Sequence, residues 1–122
     1  MGVDYREFPV LVVDDEPDIC EMIRTALELR GAVVVSALNG AEALALCAAE
    51  RFDAAFIDFS MSGLAGFALG RAVGEAQPTL PVVFMSGVEI PQDPDPRFRS
   101  FLKKPFDLRE IQCKLHDVLA AE

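Results

Sequence analysis

The sequence predicts an α/β fold: a doubly wound, five-stranded parallel sheet with helices on both faces and a shortened, proline-broken fourth helix. Three observations lead there. Short apolar runs rich in β-branched residues alternate with segments of helical length and composition, the signature of repeated strand–helix units. The run Ala54-Ala55-Phe56-Ile57 shows no polar alternation, as a strand buried on both faces requires. The runs stop abruptly at charged, glycine or proline residues, where a strand hands over to a loop.

Phe8 to Val13 forms the first strand and ends in Asp14-Asp15-Glu16-Pro17. A helix follows with Pro17 in its first turn, where the missing N–H costs nothing. Its apolar positions Ile19, Ile23, Ala26 and Leu27 recur at helical spacing, and Gly31 marks the stop after Arg30. Ala32 to Ala37 is the second strand, and Asn39-Gly40 leads into an alanine- and leucine-rich helix over residues 41–49. The third strand, from Ala54, ends on Asp58; Ser62-Gly63 and Gly66 then supply turn chemistry. Residues 67–75 make a third helix weakened by Gly70 and Gly74. Leu80 to Ser86 is the fourth strand, with Pro81 near its start, and Ser100 to Lys103 a short fifth. Lys104-Pro105-Phe106 turns the chain, and Asp107 with Glu110 opens the last helix as a capping box. Leu108, Ile111, Leu115, Val118 and Leu119 form its apolar stripe. Between the fourth and fifth strands Pro91, Pro94 and Pro96 forbid a regular helix, leaving at most one turn near Pro96 to Arg99.

At 122 residues the chain reads as one domain with its core over about residues 8 to 120. A hydrophobic content of 52% against 25% charged residues describes a folded globular chain. Twenty Asp+Glu against eleven Lys+Arg give a net charge of −9, which argues against direct binding to nucleic acid or to an anionic membrane. No apolar run approaches the ~20 residues that span a bilayer. The segment Met1-Gly2-Val3-Asp4-Tyr5-Arg6 lacks the plan of a signal peptide, and Arg6 stands where a myristoylation motif wants Ser or Thr. Cys20, Cys47 and Cys113 lie far apart within apolar or helical patterns and read as buried free thiols, fitting a reducing cytoplasm.

Ligands of open α/β sheets bind beyond the carboxyl ends of the strands. In this chain those ends carry Asp14-Asp15, Asp58, Ser86-Gly87 and Lys104-Pro105. Taken alone, Asp58 reads as a strand-end aspartate capping a turn, and Lys104 as a solvated loop lysine. Together they form a constellation. Three carboxylates in one cleft repel each other unless a cation sits among them, and an oxygen-only ligand set favours Mg²⁺. An ammonium and a hydroxyl suit the remaining oxygens of a phosphoryl group, so the set matches aspartyl-phosphate chemistry.

Val12-Val13-Asp14-Asp15-Glu16-Pro17, Asp58 with Met61 and Gly66, Met85-Ser86-Gly87 and Phe101-Leu102-Lys103-Lys104-Pro105-Phe106 together resemble the receiver domain of bacterial two-component response regulators. The resemblance runs from about Val10 to Leu119. It implies a flavodoxin-like strand order, 2-1-3-4-5. It also implies that Asp58 accepts a phosphoryl group from a phosphohistidine of a histidine kinase or histidine phosphotransfer protein. Asp15 would ligate Mg²⁺ directly and Asp14 through water, with Asp58 and the backbone carbonyl of Ser60 completing the protein ligands. Lys104 would pair with Asp58, Ser86 would turn to the phosphate, and Phe101 would be the aromatic whose rotamer follows. The output would be protein binding, with no enzymatic activity beyond self-catalysed phosphotransfer and autodephosphorylation.

Two departures from the family pattern stand out. Ser62 replaces the proline usual after Met61, removing one rigid φ from the loop. The broken fourth helix removes part of the face that many relatives use for dimers or partners; such shortened segments favour a relay role beside hybrid kinases. Two alternatives differ in class. A small aspartyl-phosphate hydrolase would want a second aspartate where Ser60 stands, and a phosphorylation-independent interaction module would have no need for Asp14, Asp15, Asp58, Ser86 and Lys104. The last helix closes near the chain end, leaving no room for an output domain; the reading is a stand-alone receiver or one excised from a longer protein. His116, beside Lys114 and Asp117, reads as a surface residue, and Arg97 and Arg99 as a solvated edge.

Overall fold

The computed structural model describes residues 8–93, 95–98 and 100–120. The expectations for residues 1–7, Pro94 and Arg99 lie outside them. Strands β1 (Phe8–Val13), β2 (Ala32–Ala37), β3 (Ala54–Asp58), β4 (Val82–Ser86) and β5 (Ser100–Lys103) form one parallel sheet in the order β2-β1-β3-β4-β5. Helices α1 (Pro17–Glu28), α2 (Gly40–Ala49), α3 (Gly66–Ala76) and α4 (Leu108–Ala120) cover it. This is the doubly wound, flavodoxin-like arrangement, and every residue of β3 and β4 is buried.

The pleat sorts the strand side chains into two cores. Val10, Val12, Phe56, Val83 and Met85 face one way and pack with Ile23 and Leu27 of α1 and Ile111 and Leu115 of α4. Leu11, Val13, Ile57 and Phe84 face the other way and pack with Cys47 of α2 and Leu69 and Val73 of α3.

The helix ends follow local chemistry. Asn39 caps α2 by accepting from the Glu42 amide at 2.8 Å, while Glu42 accepts in return from the Leu38 amide at 3.0 Å. Asp107 and Glu110 exchange the two bonds of a capping box at 2.8 and 3.1 Å. α1 stops at Glu28 rather than continuing to Arg30, because Arg30 and Gly31 already make tighter three-residue bonds and Gly31 turns at φ 86°. β4 begins after Pro81, which has no N–H to give the ladder.

No described residue between β4 and β5 is helical; a single turn at Pro96-Arg97 closes with the Phe98 amide donating to the Asp95 carbonyl at 3.0 Å. What holds this segment is α3. Gly70 and Gly74, one turn apart, open a seat on the helix: a Cβ at Gly70 would stand 2.7 Å from the Phe84 ring and 3.0 Å from that of Phe98, and one at Gly74 would collide with the Arg97 guanidinium. Phe98 is 2% exposed and stacks on Phe67, while Arg71 lies over both rings and pairs with Asp93.

At the opposite end of the sheet, buried Gln77 ties three backbone groups together. Its Oε1 accepts from the Phe52 amide at 3.0 Å, and its Nε2 donates to the carbonyls of Cys47 at 3.0 Å and Glu50 at 2.7 Å. All three cysteines are free; Cys20 and Cys47 are buried as expected, but Cys113 is exposed, because its position on α4 faces away from the Ile111–Leu115–Val118 stripe. Among the described residues no helix is long and apolar enough to cross a membrane.

Replacing Gln77 by Ala leaves the Phe52 amide and two carbonyls without their partner. The expected loss is about 2–3 kcal/mol. Urea unfolding checks it, with a lower midpoint at an unchanged m-value as the predicted result.

Candidate functional site

The ladder of the sheet runs one bond past its strands at the carboxyl edge, and this registers the site. The Asp14 amide donates to Ala37 O at 3.1 Å, the Phe59 amide to Met85 O at 2.8 Å, and the Lys104 amide to Ser86 O at 2.8 Å. Asp14, Asp58, Ser86 and Lys104 therefore leave adjacent strands at one level.

Asp14, Asp58 and Ser86 each fold back onto their own loop. Asp14 Oδ1 accepts from the Glu16 amide at 2.9 Å, Asp58 Oδ1 from the Ser60 amide at 3.3 Å, and Ser86 Oγ from the Val88 amide at 3.1 Å. These turns leave the second carboxylate oxygens to face one cation. Lys104 Nζ donates to Asp14 Oδ2 at 2.9 Å and stands 3.5 Å from Asp58 Oδ2 and 3.7 Å from Glu16 Oε2. The lysine thus stands between the two carboxylates, with its shortest bond to Asp14.

Asp14, Asp58 and Ser86 are buried, Lys104 is half-buried, and Asp15 and Ser60 are exposed. Burial pushes the Asp58 carboxyl above its ordinary range; the Ser60 amide draws it back, the Asp14 charge adds to the rise, and Lys104 offsets part of it. Burial lowers the Lys104 ammonium, but its hydrogen bond to Asp14 and the charges of Asp14, Asp58 and Glu16 outweigh that, and the net direction is up.

Asp14, Asp15 and Glu16 offer oxygens that all lie within 4.8 Å of one another. That oxygen-only donor set, set beside a second buried carboxylate, is compatible with Mg²⁺. Glu16 is the member that sequence reasoning gave no role; the signal was present in its place next to Asp14-Asp15. Asp58, expected as a ligand, stands outside this three-carboxylate cluster. Phe101 is 37% exposed and stacks on Phe84 at 6.3 Å. A groove of about 770 Å³ opens beside Ser86, between Val88–Ile90 and Phe101–Lys103.

The chain is similar to known proteins in sequence and in fold. The family model "Response regulator receiver domain" matches residues 10–116. The response regulator receiver protein CpdR of Brucella abortus is 32% identical over 116 residues, covering 92% of this chain and 97% of that protein. The probable transcriptional regulatory protein TcrX of Mycobacterium tuberculosis is 28% identical over 120 residues, covering 95% of this chain and 51% of TcrX. The chain spans about half the length of several such curated relatives. The solved receiver domain of NtrX from Brucella abortus, 28% identical, superposes with a TM-score of 0.83 over 93% of this chain and 99% of that one.

The upward shift at Asp58 fixes the sign of a stability experiment. A carboxyl raised by folding destabilises the fold while ionised; the penalty is present at neutral pH, fades as pH falls through the folded value, and vanishes below the ordinary 3.8. Asp58→Asn should therefore be more stable than the wild type at neutral pH. The gap should close as the solution is acidified. Thermal melts of both proteins from pH 7 downward, without divalent cation, give the test; equal stability at pH 7 contradicts it.

Proposed function

The chain belongs to the response regulator receiver domain family, and from that membership we propose that it is a Mg²⁺-dependent phosphoacceptor switch in which Asp58 takes a phosphoryl group. The receiver fold is that of a regulatory module rather than of an enzyme. The observation that carries the proposal is the buried Asp58 carboxylate at the end of the central strand. One oxygen is held by its own loop, and the other is turned to Lys104.

The donor is a phosphohistidine on a histidine kinase or histidine phosphotransfer protein. Asp58 Oδ2 attacks phosphorus, a P–O bond forms, the P–N bond breaks, and its electron pair returns to the imidazole nitrogen. Asp14, Asp15 and Asp58, with the Ser60 carbonyl and with Glu16 at hand, would hold Mg²⁺. When bound, that ion offsets the negative charge gathered on the phosphoryl oxygens. Lys104 moves from sharing Asp14 and Asp58 to facing the new phosphate. The Ser86 hydroxyl supplies a donor to it, and Phe101 follows into the space this opens. The site works in the cytoplasm, with a protein as its target. Residues 8–120 act as one receiver unit, in a protein as short as CpdR or within a longer regulator of the TcrX kind.

Acetyl phosphate with Mg²⁺ should add one phosphoryl mass to the wild type, labile to hydroxylamine, and none to Asp58→Asn. Equal labelling of the two proteins, or a hydroxylamine-stable adduct, sinks the assignment. Mg²⁺ titrated calorimetrically should bind weakly to the wild type and at least about tenfold more weakly to Asp15→Asn. Unchanged affinity would place the ion elsewhere.

A further inference from the structure

We propose that Phe59 couples the phosphoacceptor loop to the segment between β4 and β5, so that the state of Asp58 is read out through an aromatic stack ending on Phe98. The inference rests on Asp58 being the phosphoacceptor.

Phe59 follows Asp58 directly, and its amide is bound to Met85 O at 2.8 Å, which ties its backbone to β4. Its ring turns into the core shared with α2 and α3. There it meets Phe67 edge-on at 4.8 Å and Phe84 edge-on at 5.6 Å. Phe67 stacks on Phe98 with the centroids 5.3 Å apart and the planes 16° apart, and Phe98 also meets Phe84 edge-on at 5.3 Å. Four rings thus run without a gap from the residue after the phosphoacceptor to the buried anchor of the segment between β4 and β5.

The far end of the stack is clamped. Arg71 stands 6.0 Å from the Phe67 centroid and 5.5 Å from that of Phe98, and pairs with Asp93. Arg97 stands 5.7 Å from the Phe98 centroid and pairs with Asp95. At the near end, the loop after Asp58 carries Ser62, which leaves φ unlocked, and then Gly63 at φ 75° and Gly66 at φ 58°; Phe59 anchors that loop against the core. A close-packed aromatic cluster has no slack to absorb a shift of one ring, so a displaced Phe59 displaces Phe98 and the backbone it carries. Phe101, by contrast, meets this cluster through Phe84 alone, at 6.3 Å, and is partly solvent-exposed. The segment's route to Asp58 through Phe59 is shorter and drier than its route through Phe101.

Hydrogen–deuterium exchange of the full chain, with and without beryllofluoride and Mg²⁺, tests this on wild type, Phe59→Ala, Phe59→Tyr and Arg71→Gln. In wild type, exchange across residues 88–98 should slow by about fivefold or more. Phe59→Ala should hold that response below about twofold while taking up the same adduct mass from acetyl phosphate, and Phe59→Tyr, which keeps the ring, should restore it. Arg71→Gln changes an exposed side chain, and it should weaken the response even if Phe59→Ala fails to fold. A full response in Phe59→Ala, or in Arg71→Gln where the alanine variant does not fold, overturns the coupling. A wild type that gains the adduct yet shows no change in residues 88–98 also overturns it, leaving Asp58 as phosphoacceptor. A wild type that gains no adduct removes both.

Discussion

The Lys104 ammonium, shared between the buried carboxylates of Asp14 and Asp58, is the interaction on which the carboxyl edge of this sheet depends. β1 and β3 are neighbours, so their terminal aspartates are forced together in a region of low dielectric, where like charges repel strongly. β5 lies two strands from β3, and the lysine's flexible stem lets its charge reach across the end of β4. Removing that charge would leave two uncompensated buried anions, the costliest condition for such a pair. The same gathering of negative charge, with Asp15 and Glu16 beside it, is compatible with a divalent cation.

A second constraint shapes the face of the fourth crossover, where no described residue is helical. Two glycines that weaken α3 as a helix clear the space into which Phe98 and Arg97 settle. Helix propensity and tertiary packing point in opposite directions there, and packing wins, since burying an aromatic ring outweighs the ~1 kcal/mol that each helical glycine costs. The segment is therefore poor in backbone hydrogen bonds yet anchored by side chains. Its own bonds are short turns in which Asp93 and Asp95 accept from the Asp95 and Arg97 amides. Such a segment can move as a unit when its anchor moves, without breaking a helix.

The sequence by itself determined the strands, the helices and the identities of the groups at the strand ends. Those signals are local: apolar runs without alternation in β3, the Asp107–Glu110 capping box, the prolines that exclude a helix after β4. Asp14, Asp15, Asp58, Ser86 and Lys104 were legible because strand ends in such a fold converge on one edge. Only the tertiary structure decided how those groups share their charges. Lys104 takes its shortest bond to Asp14 rather than Asp58, because distances between residues about ninety positions apart depend on strand order and register. Gln77 is a buried staple whose three partners lie at the end of α2 and just beyond it, remote in sequence. Gly70 and Gly74 looked like defects for the same reason: what a missing side chain makes room for is set by the element that packs against it, and no local pattern records that.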